Sequence, residues 1–134
     1  MKYEDMLKLT QCEKGKNKDV EHQIQCSCVK WFRLQYPNEA MLLYAIPNGG
    51  RRDAITGKRL KDEGVVRGVA DMNLDIPNAH YHGLRIEMKA GKKGVQSKEQ
   101  KEFQARVEEH GYKYVICRSF DDFRREVIIY MSNK

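Results

Sequence analysis

Two acidic residues and a lysine stand where they could act together on one chemical group. Asp71 begins the segment 71–76 (DMNLDI), and Glu87 and Lys89 lie at the end of the segment 84–89 (LRIEMK). Polar and apolar residues alternate in both segments, which predicts two β-strands that each bury one set of side chains and turn the other set to the opposite face. The turn-forming sequence PNAHYHG joins the two segments, so we expect an antiparallel hairpin.

This hairpin is expected to place Asp71 opposite Glu87 or Lys89. Facing residues of an antiparallel pair have Cβ atoms about 4.5–5.5 Å apart. Two carboxylates at that distance repel each other unless a cation lies between them, and a divalent metal ion with oxygen ligands is the natural cation. The spacing therefore predicts a divalent metal site beside an amine.

Positive charge is concentrated on both sides of these residues in the sequence. The chain has 134 residues and a formal net charge of +6. Residues 51–61 contain five basic residues and one acidic residue, and residues 89–101 contain the same balance. A basic border around an acidic centre suits a polyanion whose backbone meets a metal ion, which favours a nucleic acid as the partner. The alternative is that these charges only keep the surface solvated.

Length and composition bound the remaining possibilities. A chain of this size is expected to form one compact domain, which we assign to residues 20–134, after an N-terminal segment of residues 1–19. No apolar run approaches the length of a membrane span, so we expect no membrane partner. The four cysteines, at positions 12, 26, 28 and 117, show no Cys-x-x-Cys spacing, and we expect reduced thiols and no zinc site.

Periodicity and turn residues predict the elements that must position the polar hairpin. In chain order these are a helix from Val20 to about Leu34, a strand over 41–46, a helical or irregular segment over 53–62, the two hairpin strands, a helix opened by Ser97, a strand over 113–117 and a helix that begins at Ser119. The hairpin is antiparallel, whereas the strand after the long helix can cross over in parallel. We therefore predict an α/β fold, a mixed sheet flanked by helices in α-β-α-β-β-α-β-α order.

Two further polar residues lie on helix faces that are otherwise apolar. Glu21 falls within about 20° of Phe32 around the first helix, and Gln100 shares a face with Phe103. Each position also has an ordinary explanation. Glu21 is in a first helical turn, where a negative charge is favourable, and Gln100 is the third residue of a capping box that begins at Ser97.

Together these segments resemble the VRR-NUC domain, the virus-type replication–repair nuclease of the PD-(D/E)XK superfamily. The blocks that match the family in order and spacing are Glu21-His-Gln-Ile-Gln, Pro47-Asn-Gly-Gly-Arg51, Gly68-Val-Ala-Asp71, Glu87-Met-Lys89 and Ser97-Lys-Glu-Gln100. The resemblance extends from about residue 20 to about residue 117. One departure is mild: Val69-Ala70 stands where the superfamily name leads one to expect a proline before the aspartate. The resemblance implies a restriction-endonuclease-like fold.

The resemblance also implies roles for individual residues. The implied ligands of Mg²⁺ or Mn²⁺ are Asp71, Glu87, the main-chain carbonyl of Met88 and Glu21, the last either directly or through water. Lys89 would orient the attacking water and steady the charge that grows on the phosphate, and Gln100 would position Lys89 or that water. Hydrolysis of a DNA phosphodiester would then proceed without a covalent intermediate.

The substrate that the resemblance implies is branched or Holliday-junction-like DNA, cut by a homodimer during replication or repair in a bacterial cytoplasm or a phage-infected host. The candidate phosphate contacts are Arg51, Arg52, Arg59, Lys61, Arg67, Lys92, Lys93 and Lys98. Two alternatives stay open at this point. One is a sequence-specific endonuclease of the restriction type, and the other is a basic DNA-binding accessory protein whose polar hairpin face only forms solvated ion pairs.

Overall fold

The computed structural model describes residues 20–47, 53–91 and 94–133. In chain order its elements are α1 (Val20–Gln35), a 3-10 helix (Pro37–Leu42), β1 (Leu43–Ala45), α2 (Ala54–Asp62), β2 (Met72–Leu74), β3 (Leu84–Met88), α3 (Lys98–Glu109), β4 (Lys113–Cys117) and α4 (Phe120–Ser132). The predicted order of helices and strands is confirmed. None of the helices in these ranges is both long and apolar enough to cross a membrane.

The strands of the described ranges form one sheet in the order β1-β2-β3-β4. β1 and β2 are antiparallel, β2 and β3 form the antiparallel hairpin, and β3 and β4 are parallel because α3 carries the chain back between them. The predicted α/β class with a mixed sheet is therefore confirmed.

The strand predicted over 41–46 was too long at its beginning. Residues 37–42 form the 3-10 helix, and only Leu43–Ala45 pair with β2. Pro37 explains the difference, because its fixed φ suits the first turn of a helix. The segment 53–62 was predicted to be either helical or irregular, and it is helical from Ala54. Asp53 caps this helix by accepting a hydrogen bond from the Thr56 N–H at 2.7 Å.

One face of the sheet packs against α1 and α4 to form the main core. Alternate residues of β3, namely Leu84, Ile86 and Met88, are buried there together with apolar residues of the other strands. Trp31 of α1 meets Phe123 of α4 edge to face, with ring centroids 6.1 Å apart. The apolar half of the alternation in the hairpin therefore lies where the sequence places it.

The other face of the sheet is covered by α3. Phe103 of α3 contacts the ring of Tyr114 in β4, with centroids 6.3 Å apart, and Glu87 lies beneath, with none of its surface exposed. A cavity of about 560 Å³ opens on the same face, lined in part by Asn73 and Arg85 of the hairpin. Glu87, Asn73 and Arg85 of the polar half therefore face a helix or a cavity, whereas Asp75 is exposed.

Within the described ranges, no disulfide joins Cys26, Cys28 or Cys117. Burial is the main reason that the pKa of Cys117 rises to about 12, and burial also raises the pKa of Cys28. Both thiols therefore stay protonated at neutral pH and act as small apolar core residues.

Candidate active site

The hairpin brings Asp71 and Glu87 side by side. Met72 pairs with Ile86 and Leu74 with Leu84, so continuing the register by one residue places Asp71 opposite Glu87. The Met88 N–H donates to Asp71 Oδ2 at 2.6 Å. The carboxylate of Asp71 is therefore held against the end of β3, where Glu87, Met88 and Lys89 follow one another.

Glu87 is a carboxylate that the fold has removed from water. Its Oε1 accepts hydrogen bonds from the Tyr114 hydroxyl at 2.5 Å and from Gln96 Nε2 at 3.2 Å. Its Oε2 is buried and has no hydrogen-bond partner within the described ranges. An unpartnered buried carboxylate oxygen is costly, and Oε2 is therefore the atom of this side chain that is available to a cation.

The surroundings of Asp71 disfavour its negative charge. Burial is the largest cause that raises the pKa of Asp71, and the nearby carboxylates of Glu87 and Glu21 raise it further. The Met88 N–H and the Lys89 ammonium act in the opposite direction without cancelling this effect. A cation bound here would act against these causes and lower the pKa of Asp71 again.

Glu21 connects the beginning of α1 to the same place. The residue is exposed in the first helical turn, as its ordinary explanation requires, yet its Oε1 accepts a hydrogen bond from the Ala90 N–H at 3.1 Å. The segment that follows β3 is therefore fastened to α1 by the third acid of the predicted set.

The segment that carries Lys89 is held by hydrogen bonds to the end of β4 and to Arg118, the residue that follows β4. The Lys89 N–H donates to the Cys117 carbonyl at 3.0 Å, next to the last pair of β3 and β4, Met88 with Cys117. Arg118 donates from Nη1 to the Gly91 carbonyl at 2.8 Å. Lys89 is half-buried on this held segment, and its charge is near enough to lower the pKa of Asp71.

Gln100 forms the capping box that its position predicts. Ser97 Oγ accepts from the Gln100 N–H at 3.1 Å, and Gln100 Oε1 accepts from the Ser97 N–H at 2.8 Å. This first turn of α3 lies against Gly68, where an added Cβ would stand 2.6 Å from the Glu99 Cβ. The beginning of α3 is therefore packed onto the segment that leads into Asp71.

The donor set can be tested for its fit to a divalent ion. Within residues 20–47, 53–91 and 94–133, no three His, Cys, Asp or Glu side chains form a group that could hold a metal ion. Mg²⁺ does not require such a cage, because it is typically bound by one or two carboxylates and keeps several waters. Two adjacent carboxylates, an orphaned oxygen on one of them and a neighbouring main-chain carbonyl therefore fit Mg²⁺ or Mn²⁺.

The residues that hold Glu87, Tyr114 and Gln96, were not among the predicted site residues. Tyr114 could have been placed on its face of the sheet, since Tyr114 and Ile116 alternate with buried residues of β4. Gln96 gives no comparable signal, because it lies in the irregular stretch before α3 and its partner Gln104 is reached only through the fold, at 2.9 Å.

The basic residues predicted to contact DNA divide into two groups. Arg59, Lys61, Arg67 and Lys98 are exposed. Arg67 precedes Gly68 and Lys98 precedes Glu99 in the sequence, so both are next to the contact between Gly68 and Glu99. The predictions for Arg51, Arg52, Lys92 and Lys93 fall outside the described residues.

Comparison with known proteins supports the fold. No protein-family model and no curated protein matches the chain by sequence. Among solved structures, the chain is similar to a VRR-NUC domain protein, with a TM-score of 0.76 and 24% sequence identity over 90% of this chain and 93% of the other. The chain therefore has the fold of a VRR-NUC domain protein.

Proposed function

We propose that the chain is a nuclease that hydrolyses DNA phosphodiester bonds with Mg²⁺ or Mn²⁺. The observation that carries the proposal is the buried carboxylate of Glu87, which lies beside Asp71 and has one oxygen without a partner in the described ranges. A bound divalent cation would give the unpartnered oxygen of Glu87 a contact and would offset the negative charges near Asp71. The VRR-NUC fold supports a nuclease over other metal-dependent hydrolases.

The residues that would hold the ion follow from this geometry. Asp71, Glu87 and the main-chain carbonyl of Met88 are the proposed direct ligands, and Glu21 contributes directly or through water. When bound, the ion would polarise the scissile phosphate and lower the pKa of a bound water.

Lys89 and Gln100 supply what an ion alone does not. The ammonium of Lys89, on the segment held by Cys117 and Arg118, is proposed to orient the attacking water and to balance the charge that develops on the phosphate. Gln100 is proposed to position Lys89 or that water, in addition to its part in the capping box. The capping bonds use its Oε1 and backbone N–H, so its side-chain NH₂ group is not part of the cap.

For the substrate we propose branched or Holliday-junction-like DNA in replication or repair, cut by a homodimer in a bacterial cytoplasm or a phage-infected host. Two related sites in a symmetric dimer could cut two strands of a junction. The exposed basic residues of α2 and of the first turn of α3 suit phosphate contacts, which position a duplex without reading its sequence.

The test uses labelled linear, flap and four-way-junction DNA with Mg²⁺, Mn²⁺ or a chelator. Wild type is expected to cut branched DNA only with metal, and Lys89→Ala to cut at least about 100-fold more slowly while keeping the metal-dependent rise in Tm. Lys30→Ala, which removes an exposed lysine of α1, is the matched control and should cut like wild type.

Each contrary result has a separate meaning. Cutting that persists in chelator, or at the wild-type rate in Lys89→Ala, contradicts the mechanism. Discrete cuts at one sequence of linear duplex would instead indicate an enzyme of the restriction type. Tight DNA binding without cleavage in either metal would indicate an accessory protein.

A further inference from the structure

The proposed function names Glu87 as a ligand but leaves open which of its two oxygens meets the ion. The carboxylate is on β3, on the face covered by α3, and none of its surface is exposed. Both hydrogen bonds that the structure gives it end on Oε1. The two oxygens therefore have different surroundings, although they are chemically equivalent in a free carboxylate.

The donors to Oε1 are themselves fixed. Tyr114 is buried in β4, with its ring against Phe103 of α3. Gln96 donates to Glu87 and also to Gln104 Oε1 at 2.9 Å, so its amide is anchored on α3. Two donors on one oxygen, each held by packing or by a second bond, prevent the carboxylate from rotating.

We infer that Tyr114 and Gln96 are positioning residues that occupy Oε1 of Glu87, so that only Oε2 binds the divalent ion. The inference rests on the proposed function, and it deepens that function by assigning one ligand atom and the residues that select it. Gln104 contributes by holding Gln96. Partners of metal ligands in other sites act in this way, and their removal typically weakens metal affinity by about 10- to 100-fold.

The main test compares Tyr114→Phe with Tyr44→Phe. Both substitutions remove a hydroxyl that donates to a carboxylate, but Tyr44 donates to Asp75, at 2.7 Å, and Asp75 is not a proposed ligand. Calorimetric titration of the full chain with Mn²⁺ should show an affinity about 10- to 100-fold weaker for Tyr114→Phe, and an affinity within about twofold of wild type for Tyr44→Phe.

A second variant and a second measurement guard against a folding defect. Gln96→Ala removes the other donor without touching the core, and it should weaken Mn²⁺ binding in the same direction. With junction DNA, both variants should need more metal for half-maximal cleavage, and saturating metal should restore most of the wild-type rate, because positioning and not chemistry has been lost. A defect in folding would lower the rate at every metal concentration.

The outcomes separate the inference from the function that it rests on. If wild type binds Mn²⁺ and both variants bind it as tightly as Tyr44→Phe, the positioning inference is wrong and the proposed nuclease stands. If wild type itself binds no divalent ion, the proposed function fails and the inference fails with it.

Discussion

Glu87 shows how a residue proposed to bind metal can work against the stability of the metal-free fold. A carboxylate buried with one oxygen unpartnered costs free energy that two hydrogen bonds to the other oxygen only partly offset. The metal-free protein therefore buries a carboxylate oxygen that has no hydrogen-bond partner within the described ranges. An ion bound at Oε2 would remove that cost, so binding and folding should be coupled.

The first prediction follows from this coupling. Glu87→Gln keeps the size of the side chain and an acceptor for Tyr114, but it removes the buried charge. In chelator we expect the free energy of unfolding of the variant to equal that of wild type or to exceed it by up to about 2 kcal/mol, because the amide carries no charge. Added Mg²⁺ should raise the Tm of wild type and not that of the variant. Urea denaturation in chelator and thermal scans in Mg²⁺ measure the two effects, and a variant clearly less stable than metal-free wild type would contradict the reasoning.

Gln100 allows a second prediction, which separates its capping role from a role at the site. Gln100→Glu keeps an oxygen that can accept the Ser97 N–H but removes the side-chain NH₂ group. Because glutamate is also a good third residue of a capping box, we expect unchanged stability by urea denaturation together with slower cleavage. Gln100→Ala is the comparison, and it should lose about 1 kcal/mol of stability. If Gln100→Glu cut DNA like wild type, Gln100 would serve the helix alone.

The sequence was most informative about those site residues whose positions depend on alternation. Asp71 and Glu87 could be paired because a two-residue period and a short connection leave few registers for a hairpin. The burial of Glu87 could not be predicted, because alternation distinguishes two faces of a sheet but does not say what covers the polar one. The partners Gln96 and Gln104 depend on how α3 packs, which no local pattern encodes.

At the scale of elements, the contact between Gly68 and α3 determines where Asp71 lies. Gly68 has a φ of +89° and approaches Glu99 so closely that a Cβ would stand 2.7 Å from the Glu99 carbonyl carbon. Any side chain at this position would displace either the first turn of α3 or the segment that leads into β2. The close approach of Gly68 to Glu99 thus couples the first turn of α3 to β2, the strand that follows Asp71.

This coupling gives a third prediction, with a control inside the same chain. Gly64 also has a positive φ, of +106°, but a Cβ there would meet no atom within 4 Å. Gly64→Ala should therefore cost only the backbone strain, about 1–2 kcal/mol. Gly68→Ala should cost about 1–3 kcal/mol more because of steric overlap, and it should also slow cleavage. Equal losses of stability in urea denaturation would show that the close contact does not matter.

Most elements were predictable because their ends carry side-chain signals. Ser97 and Ser119 each cap a helix by accepting an N–H three residues on, at 3.1 Å, and such caps are visible in sequence. The 3-10 helix before β1 was missed because residues 41–46 are all apolar, a composition that fits a buried strand equally well. Its start is determined by Pro37, whose fixed φ suits the first turn of a helix.

At the scale of the whole molecule, the net positive charge governs how DNA would be held. Arg67 and Lys98, which precede Gly68 and Glu99 in the sequence, are exposed. Arg59 and Lys61 are exposed in the last turn of α2. Charges of this kind bind phosphates by releasing counterions, and the resulting affinity falls steeply with salt.

The fourth prediction concerns this salt dependence. Arg67→Ala and Lys98→Ala should each lower the slope of log affinity against log salt by about one, and they should weaken binding to linear and branched DNA alike. Fluorescence anisotropy with junction DNA in chelator measures the slopes without cleavage, and Lys30→Ala serves as the control. An unchanged slope in both variants would remove these residues from the proposed DNA contact.

The parallel pairing of β3 with β4 has a consequence for a chain that is still being synthesised. All the proposed ligands and Lys89 precede residue 90, but Tyr114 and the Cys117 carbonyl, which hold Glu87 and Lys89 in place, belong to the final strand. Domains emerge from the ribosome beginning at their N-terminus. On the proposed function, a nascent chain would carry all the proposed ligands and Lys89 before the strand that holds them in place has been made. Nearby nucleic acid would therefore be spared until translation of the domain was nearly complete.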